Sequence, residues 1–374
     1  MSRNQGRTFA IIIALLAAAT LAVYVVLRWQ SPQEADGADG RGDRTLVDRS
    51  ERQTVTERGD HGEVARPDRG SEDTGAQDDR ETEQLDVRPP ETVESERQRA
   101  ALPSGSDADA RAAYRRGLEL LSGGDMLAAR AALSRAILSG GLSAADETDA
   151  IARAASLAER TLLSSEIFPG DGYASYYTVQ SGDTLADQPR RKGVISKLDL
   201  RIPPEAVLRI NGVRDARNIR AGQDLKVVKG PFHAIVTKHR FTCDLYLHRE
   251  GLEPVFVRRT RVGLGKNGST PCGLWRVSTK QPYATWYPPP NAPHRRPIRP
   301  GEPDYPFGEK GLWIGLDGVD QNTEGRFGYG LHGTNDPSTI GQEASLGCIR
   351  LADEDIELAF DLLREGHSTV EVRP

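Results

Sequence analysis

Aromatic and lysine side chains are missing from a long stretch near the start of this chain of 374 residues. Residues 31–107 contain no Phe, Trp, Tyr or Lys, and their 21 acidic and 11 basic residues give a net charge of −10. Such a stretch cannot bury enough apolar surface to offset the entropy lost on ordering it. We therefore predict a disordered acidic linker over residues 29–107 that serves as a solvated spacer.

An excess of positive charge is also absent, because the formal net charge of the whole chain is −5 at pH 7. This balance argues against a nucleic-acid partner. Cysteine is scarce as well, with three residues in all. In an exported protein, three cysteines leave one unpaired. If Cys348 is a working thiol, Cys243 and Cys272 either form a disulfide or are two buried thiols.

One long hydrophobic run occurs, at residues 9–27, where nineteen uncharged and mostly apolar positions lie between arginines. That length spans a bilayer. We predict a single transmembrane helix at 9–28, with a cytoplasmic N-terminus at 1–8, because basic residues precede the run. The bulk of the chain would then lie in the periplasm or another extracytoplasmic space, held at the cell membrane. A cleaved signal peptide is the alternative, although it usually has a shorter apolar core.

From Asp107 the pattern becomes helical, and glycine pairs at 123–124 and 140–141 divide it into three helices. Asp107, Asp125 and Ser143 are the candidate N-caps. The first two helices resemble a tetratricopeptide repeat, whose small residues let helices approach closely. One and a half repeats cannot form a binding solenoid. Residues 108–165 are therefore expected to be a TPR-like helical spacer or docking unit, with a protein-binding site as the alternative.

Residues 174–229 follow the order strand, turn, helical middle and strand. They resemble a LysM module, whose βααβ fold binds glycans that contain N-acetylglucosamine, such as peptidoglycan. The basic run at 190–192 interrupts the first expected helix, so a degenerate module kept for packing is the alternative. In the family, the glycan contacts come from two loops, which correspond here to Ser181, Gly182, Asp183, Thr184, Ile210 and Asn211.

From Phe232 to Pro374 the chain is rich in strand patterns separated by glycine, proline and charged turns. One long connection stands out, because eight prolines lie between Trp286 and Gly308. A loop of this length inside a compact domain is usually a functional lid or a disordered insertion. We favour a lid stiffened by proline. Its basic residues either meet an acidic substrate or are only solvated, and they are His294, Arg295, Arg296 and Arg299.

A histidine and a cysteine stand sixteen residues apart near the end of the chain, at His332 and Cys348. A cysteine nucleophile needs a nearby base, because a free thiol is only slightly ionised at neutral pH. A histidine on a neighbouring strand supplies such a base. A zinc site formed with Asp336 is the competing interpretation, but no second cysteine or closely spaced histidine pair completes a ligand set.

Residues 232–374 resemble an L,D-transpeptidase catalytic domain of the YkuD type. The motifs that carry the resemblance are Gly263-Leu-Gly-Lys266, Thr270-Pro271-Cys-Gly273, Trp286-x-Pro288, His332-Gly333-Thr334 and Ser345-x-Gly347-Cys348-Ile-Arg350. The resemblance implies a mainly-β, sandwich-like domain that forms 3→3 cross-links in peptidoglycan or attaches proteins to it. The chain is thus expected to be multidomain, with peptidoglycan as its partner and neither a metal nor an organic cofactor.

The resemblance also implies roles for individual residues. Cys348 corresponds to the nucleophile, and His332 to the general base and acid, oriented by the backbone carbonyl of Gly333. Arg350 fixes the loop or meets a carboxylate of the stem peptide. Backbone N–H groups around Gly347 and Cys348 correspond to the oxyanion hole. Further substrate contacts are expected from Trp286, Thr334, Ser345 and Leu346.

Leu346 departs from the family, in which many members have a histidine or another polar residue at this position. The change puts acceptor recognition in doubt, while His332 still supplies the base. Three functions remain open from the sequence. They are transpeptidation, L,D-carboxypeptidation with water as the acceptor, and a non-catalytic tether that binds peptidoglycan.

Overall fold

A computed structural model describes residues 105–188, 190–289, 292 and 294–374. All of them belong to the second of two units, Thr82–Pro374. The predicted transmembrane helix at 9–28 and nearly all of the predicted linker lie outside the described residues. Within the described ranges, no helix is both long enough and apolar enough to cross a membrane.

Three helices open the described chain: α1 (Asp107–Ser122), α2 (Met126–Ser139) and α3 (Ala144–Thr161). The predicted N-caps Asp125 and Ser143 are confirmed, because each side chain accepts a backbone hydrogen bond from the first turn. The prediction of Asp107 as the first cap was wrong. Ser106 is the cap. Its hydroxyl accepts a hydrogen bond from the Asp109 N–H, and the Asp109 carboxylate accepts one from the Ser106 N–H.

A small βααβ unit follows the helices: β1 (Ala174–Thr178), α4 (Val194–Lys197), α5 (Pro204–Ile210) and β2 (Asp224–Val228). The two strands pair antiparallel. The first helix is reduced to four residues. Before it, Gln188 and Arg191 form an isolated β-bridge, so the chain turns back on itself where a longer helix was expected to begin.

Most of the remaining strands form one eight-stranded mixed sheet in the order β11-β9-β8-β7-β12-β3-β4-β5. The expectation of a mainly-β domain is confirmed. A separate parallel pair consists of β6 and β10. The elements are β3 (Phe232–Thr237), β4 (Thr242–Leu247), β5 (Val255–Arg261), β6 (Leu264–Gly265), β7 (Gly273–Gln281), β8 (Trp313–Gly318), β9 (Tyr329–His332), β10 (Glu343–Ser345), β11 (Ile349–Arg350), α6 (Asp353–Leu362) and β12 (Thr369–Arg373).

The helical segment packs on this sheet. Apolar side chains of α2 and α3 share a core with Ile235, Tyr246 and Phe256, which lie on β3, β4 and β5. At the edge strand β5, the Phe256 N–H donates a hydrogen bond of 2.9 Å to the Ser134 hydroxyl. The inner face of the predicted docking unit is therefore covered by the chain's own sheet.

The βααβ unit also shares a core with the sheet and with α6. An ion pair of 2.7 Å between Arg209 and Asp361 joins α5 to α6. Both upstream segments, the three helices and the βααβ unit, therefore pack against the eight-stranded sheet or α6.

Candidate active site

Parallel pairing of two short strands brings the predicted histidine and cysteine into one site. In the register of β9 with β11, Leu331 lies opposite Ile349, and His332 lies opposite Arg350. Cys348 immediately precedes β11, while His332 ends β9. The chain between β9 and β11 crosses over, so that β11 pairs parallel with β9. Residues sixteen positions apart in the sequence are therefore brought to neighbouring strands.

His332 is buried and held in one orientation. Its Nδ1 lies 2.6 Å from the Gly333 carbonyl oxygen. Because a carbonyl only accepts hydrogen bonds, Nδ1 carries the proton, and Nε2 is left as the basic nitrogen. The ring packs against Phe307 at a centroid distance of 4.6 Å and stacks with Trp313 at 5.8 Å.

Burial and, to a smaller extent, the nearby charge of Arg350 lower the pKa of His332 to about 4, although the hydrogen bond to Gly333 opposes the shift. Burial likewise raises the pKa of the Cys348 thiol to about 11, against a backbone hydrogen bond from Gly330 and the charge of Arg350. The Cys348 Sγ also lies 3.6 Å from the Gly328 carbonyl oxygen. At neutral pH, the resting site therefore contains a neutral thiol and a neutral imidazole.

The turn that presents Cys348 is fixed by Ser345. Its hydroxyl donates to the Cys348 carbonyl oxygen at 2.7 Å and accepts from the Gly347 N–H at 3.1 Å. In this structure the Gly347 N–H thus bonds to Ser345, and the Cys348 N–H is the second predicted oxyanion donor. Gly347 has a φ of +139°, and a methyl group added there would lie 2.8 Å from the Tyr329 ring.

Thr270 is a supporting residue to which the sequence assigned no role. Its hydroxyl donates to the Gly347 carbonyl oxygen at 2.9 Å and accepts from the Gly265 N–H at 2.8 Å. It therefore ties the nucleophile turn to β6. Its place in the Thr270-Pro271 motif was the available signal, but nothing in the sequence indicated which atoms it contacts.

A cleft of about 660 Å³ opens over these residues. Of the predicted site residues, those that line it are Trp286, His332, Ser345, Leu346, Gly347, Cys348 and Arg350. Thr334 does not line it. Its hydroxyl bonds to the backbone of Asp336, and the side chain is buried in the turn after β9, which corrects its assignment to substrate contact.

The proline-rich loop forms one wall of the cleft. Trp286 and Ile298 exchange backbone hydrogen bonds of 2.8 and 2.9 Å, so the loop folds as a hairpin. Its apolar side chains make a small core of their own, in which Phe307 reaches His332. Arg296 pairs with Glu302 at 2.6 Å, and the four basic residues of the loop do not line the cleft.

Arg350 is the cation of the cleft. Its Nε is buried and makes no hydrogen bond within the described residues. Among those residues, no Asp or Glu lines the cleft. Burial lowers the pKa of Arg350, while the nearby Cys348 and Asp336 oppose the shift. A positive charge beside the nucleophile, with no acidic neighbour on the cleft wall, suits a carboxylate ligand.

Most of the predicted glycan-binding residues are engaged inside the βααβ unit. Asp183 accepts from the Tyr177 hydroxyl at 2.5 Å and from the Gln180 N–H at 2.8 Å, and these bonds together with Lys197 lower its pKa to about 2. The Asn211 amide bridges α5 and β2. Thr184 donates to a backbone carbonyl, Ile210 is a core residue, and Ser181 and Gly182 are exposed.

No group of three or more His, Cys, Asp and Glu side chains is arranged to hold a metal ion in the described part of the chain. Asp336, the third residue of the competing zinc interpretation, caps a short 3₁₀ helix and accepts from the Ser338 N–H at 3.2 Å. All three cysteines are free thiols, so Cys243 and Cys272 are not paired, and Cys243 is buried.

Residues 239–372 match the family model of the L,D-transpeptidase catalytic domain, YkuD. This part of the chain therefore belongs to the class of L,D-transpeptidase catalytic domains.

Named relatives agree with this class. The protein named as the L,D-transpeptidase YqjB of Bacillus subtilis is 34% identical over 108 residues, which cover 28% of this chain and 53% of that protein. The protein named as YkuD of the same organism is 28% identical over 191 residues, which cover 49% of this chain and 90% of that protein. The chain thus spans about half the length of the first of these relatives.

Among solved structures, an L,D-transpeptidase from Mycobacterium smegmatis aligns with a TM-score of 0.28 and 15% identity. The alignment covers 41% of this chain and 64% of that one. A likeness of this size carries no conclusion.

Proposed function

We propose that this protein is a membrane-anchored L,D-transpeptidase that acts on tetrapeptide stems of peptidoglycan through a thioester on Cys348. The observation that carries the proposal is that Cys348 and His332 line one cleft, with Nδ1 of His332 fixed on the Gly333 carbonyl. The apolar run at 9–28 would hold the catalytic domain at the membrane, and residues 29–107 would separate the two.

Acylation follows from the two neutral groups. As Sγ of Cys348 attacks the carbonyl between the diaminopimelate L-centre and the terminal D-Ala, the thiol proton passes to Nε2 of His332. The Cys348 N–H stabilises the oxyanion. When the C–N bond breaks, the proton on Nε2 passes to the leaving amine of D-Ala. A thioester and free D-Ala result, and His332 is neutral again.

An acceptor then resolves the thioester. The amine of a neighbouring stem would give a 3→3 cross-link, and an amine of a protein would attach that protein to the wall. Water would give a tripeptide, which is the carboxypeptidase alternative. Arg350, with its buried and unbonded Nε, is suited to hold a stem carboxylate next to the reacting carbonyl.

The βααβ unit would act as a LysM-like module that holds the enzyme on glycan strands. Its order of elements supports this role. Ser181 and Gly182 are exposed for such a contact.

The test is product analysis with purified protein and tetrapeptide muropeptides. We expect release of D-Ala and 3→3 dimers, and loss of both in Cys348→Ala. Cys272→Ala is the matched control, because this half-buried cysteine lies outside the cleft and should retain activity. Tripeptide without dimers would favour the carboxypeptidase. Binding to sacculi with no released D-Ala would contradict the enzyme and favour a tether.

A further inference from the structure

Three large apolar side chains stand exposed at the mouth of the catalytic cleft. The exposed fraction is 83% for Phe327, 73% for Tyr287 and 47% for Leu346. Single exposed apolar residues are common on protein surfaces, but a cluster at the rim of a cleft indicates a contact surface. All three line the same cleft as Cys348, although they come from three separate segments of the chain.

Phe327 is presented by a loop that is held firmly. The Asp320 carboxylate accepts hydrogen bonds from the Leu274 N–H at 2.9 Å and from the Thr323 hydroxyl at 3.0 Å. Arg326 donates to the Asn322 carbonyl oxygen at 2.8 Å. The residue after Phe327 is Gly328, whose carbonyl lies 3.6 Å from the nucleophilic sulfur. The ring is therefore displayed one residue away from an atom that touches Cys348.

Leu346 is likewise exposed at the cleft, two residues before the nucleophile Cys348. Its two neighbours are fixed, because the Ser345 hydroxyl bonds to the backbone of Gly347 and Cys348. Gly347 in turn packs so closely on Tyr329 that a side chain there would collide with the ring. The segments that carry Phe327 and Leu346 thus lie against each other, and both side chains line the cleft that contains Cys348.

Charge distinguishes this rim from the interior of the cleft. Arg350 supplies positive charge inside, and among the described residues no acidic side chain lines the walls. An ammonium group entering the cleft would find no carboxylate partner there. Proximity to a cation also favours the neutral form of an amine, which is its nucleophilic form. With no carboxylate on the cleft wall, the exposed apolar side chains at the rim are a source of binding energy for an incoming amine.

We propose that Phe327, Tyr287 and Leu346 form an apolar acceptor subsite, which selects amines that have an apolar group beside the amino nitrogen. This inference rests on the proposed function and concerns its second step. In that step the neutral amine attacks the thioester carbonyl, a C–N bond forms and the C–S bond breaks. The sulfur leaves as thiolate and regains a proton from the amine through His332.

The experiment measures how one acyl-enzyme partitions between reaction with an added amine and hydrolysis by water. Full-length protein is acylated with a tetrapeptide donor, and glycine amide or either enantiomer of leucine amide is added at equal concentration. Mass spectrometry then gives the ratio of amide product to hydrolysed tripeptide. Because both products arise from the same acyl-enzyme, the ratio does not depend on how fast that species forms.

We expect the ratio for one leucine amide to exceed that for glycine amide by roughly tenfold, since partial burial of one apolar side chain at the rim stabilises the bound amine. Phe327→Ser and Leu346→Ser should bring the two ratios to within about twofold of each other. Tyr176→Ser is the matched control, because Tyr176 is an aromatic residue on β1 that is 60% exposed and lies outside the cleft. Its preference should equal that of the wild type.

Two results overturn the subsite while leaving the proposed function intact. One is an acyl-enzyme that shows no preference for leucine amide. The other is a preference that persists in both Phe327→Ser and Leu346→Ser. Absence of any acyl-enzyme would instead overturn the proposed function, and the acceptor subsite with it.

Discussion

At the scale of single residues, burial determines the resting state of the nucleophile and its base. A thiolate–imidazolium pair would need a thiol pKa below that of the imidazole. Here the pKa of Cys348 is raised to about 11, and the pKa of His332 is lowered to about 4. The free site therefore holds its proton on sulfur until a substrate carbonyl arrives. Proton transfer and attack on the carbonyl then belong to one step.

The lowered pKa of His332 also makes a prediction for stability. The unfolded chain binds this proton near pH 6.5 and the folded chain only near pH 4, so the folded state loses stability as pH falls through that window. The loss from this residue is about 3 kcal/mol between neutral pH and about pH 4. Urea titrations of wild type and His332→Gln should therefore differ in how their unfolding free energy depends on pH. Equal dependence in the two proteins would contradict a buried neutral His332.

The histidine and cysteine were predictable from the sequence, whereas their surroundings were not. The pair stands inside recognisable motifs, and its chemistry follows from the residue types. Phe307 and Trp313, which enclose the imidazole, lie far from it along the chain. Only the pairing of β8 with β9 and the folding of the proline-rich hairpin bring them to His332. The same holds for Ser345, whose bond to the Gly347 N–H no motif in the sequence indicated.

At the scale of elements, the first turn of α6 connects the proline-rich hairpin to the catalytic turn. Asp353 Oδ2 accepts a hydrogen bond of 3.3 Å from the Glu309 N–H at the end of the hairpin. The other oxygen, Oδ1, is buried, and a methyl group added to Gly308 or to Gly333 would collide with it. The Asp353 carboxylate thus fills the space between the hairpin and Gly333, whose carbonyl oxygen accepts the hydrogen bond that orients His332.

We predict that Asp353→Ala lowers kcat for D-Ala release by roughly tenfold, because small displacements of a catalytic group are costly. Asp353→Asn keeps the shape of the side chain and should restore most of the rate. Glu354→Ala, an exposed neighbour on the same turn, is the control and should behave as wild type. An unchanged kcat in Asp353→Ala would show that the contact is not used to position His332.

Element boundaries followed local signals where these were strong. Asp125 and Ser143 lie next to glycine pairs and cap their helices as expected. The first cap was misplaced by one residue, because Ser106, Asp107 and Asp109 all favour a helix start and only the reciprocal bonds of Ser106 distinguish them. The short α4 also agrees with the basic run that interrupts it. Capping chemistry is local, and this is why the sequence reveals it.

At the scale of the whole molecule, a buried polar network joins the helices to the βααβ unit. Arg130 on α2 donates to both carboxylate oxygens of Asp171, at 2.9 and 3.0 Å, and to the Thr161 hydroxyl at 2.8 Å. Lys226 on β2 donates to the carbonyl oxygens of Thr161 and Glu166 at 2.8 and 2.6 Å. The network ties together α2, the segment that ends α3 and strand β2.

Removing one partner of a buried ion pair leaves the other charge uncompensated. Asp171→Ala should therefore lower the free energy of unfolding by about 3–5 kcal/mol. Glu119→Ala removes a pair whose side chains are 63% and 67% exposed, and it should cost no more than about 1 kcal/mol. Urea or thermal denaturation of both variants checks this difference. Similar losses in the two would contradict a joining role for the network.

The arrangement of segments was the least predictable level. The sequence indicated a helical spacer and a separate module, because each has its own periodicity and its own punctuation. The structure packs the inner faces of α2 and α3 on β3, β4 and β5, and merges the βααβ core with that of the sheet. Some of these contacts join residues far apart in the chain, such as Ser134 and Phe256, which are 122 positions apart, and no local pattern specifies them.

The most direct test of the central claim is intact mass spectrometry of the protein after incubation with a tetrapeptide donor. We expect the mass to increase by that of the donor minus D-Ala, and peptide mapping to assign the adduct to Cys348. Cys348→Ala should give no adduct, while Cys272→Ala should give the same one as wild type. An unmodified protein under conditions that bind the donor, or an adduct on another residue, would contradict a thioester on Cys348.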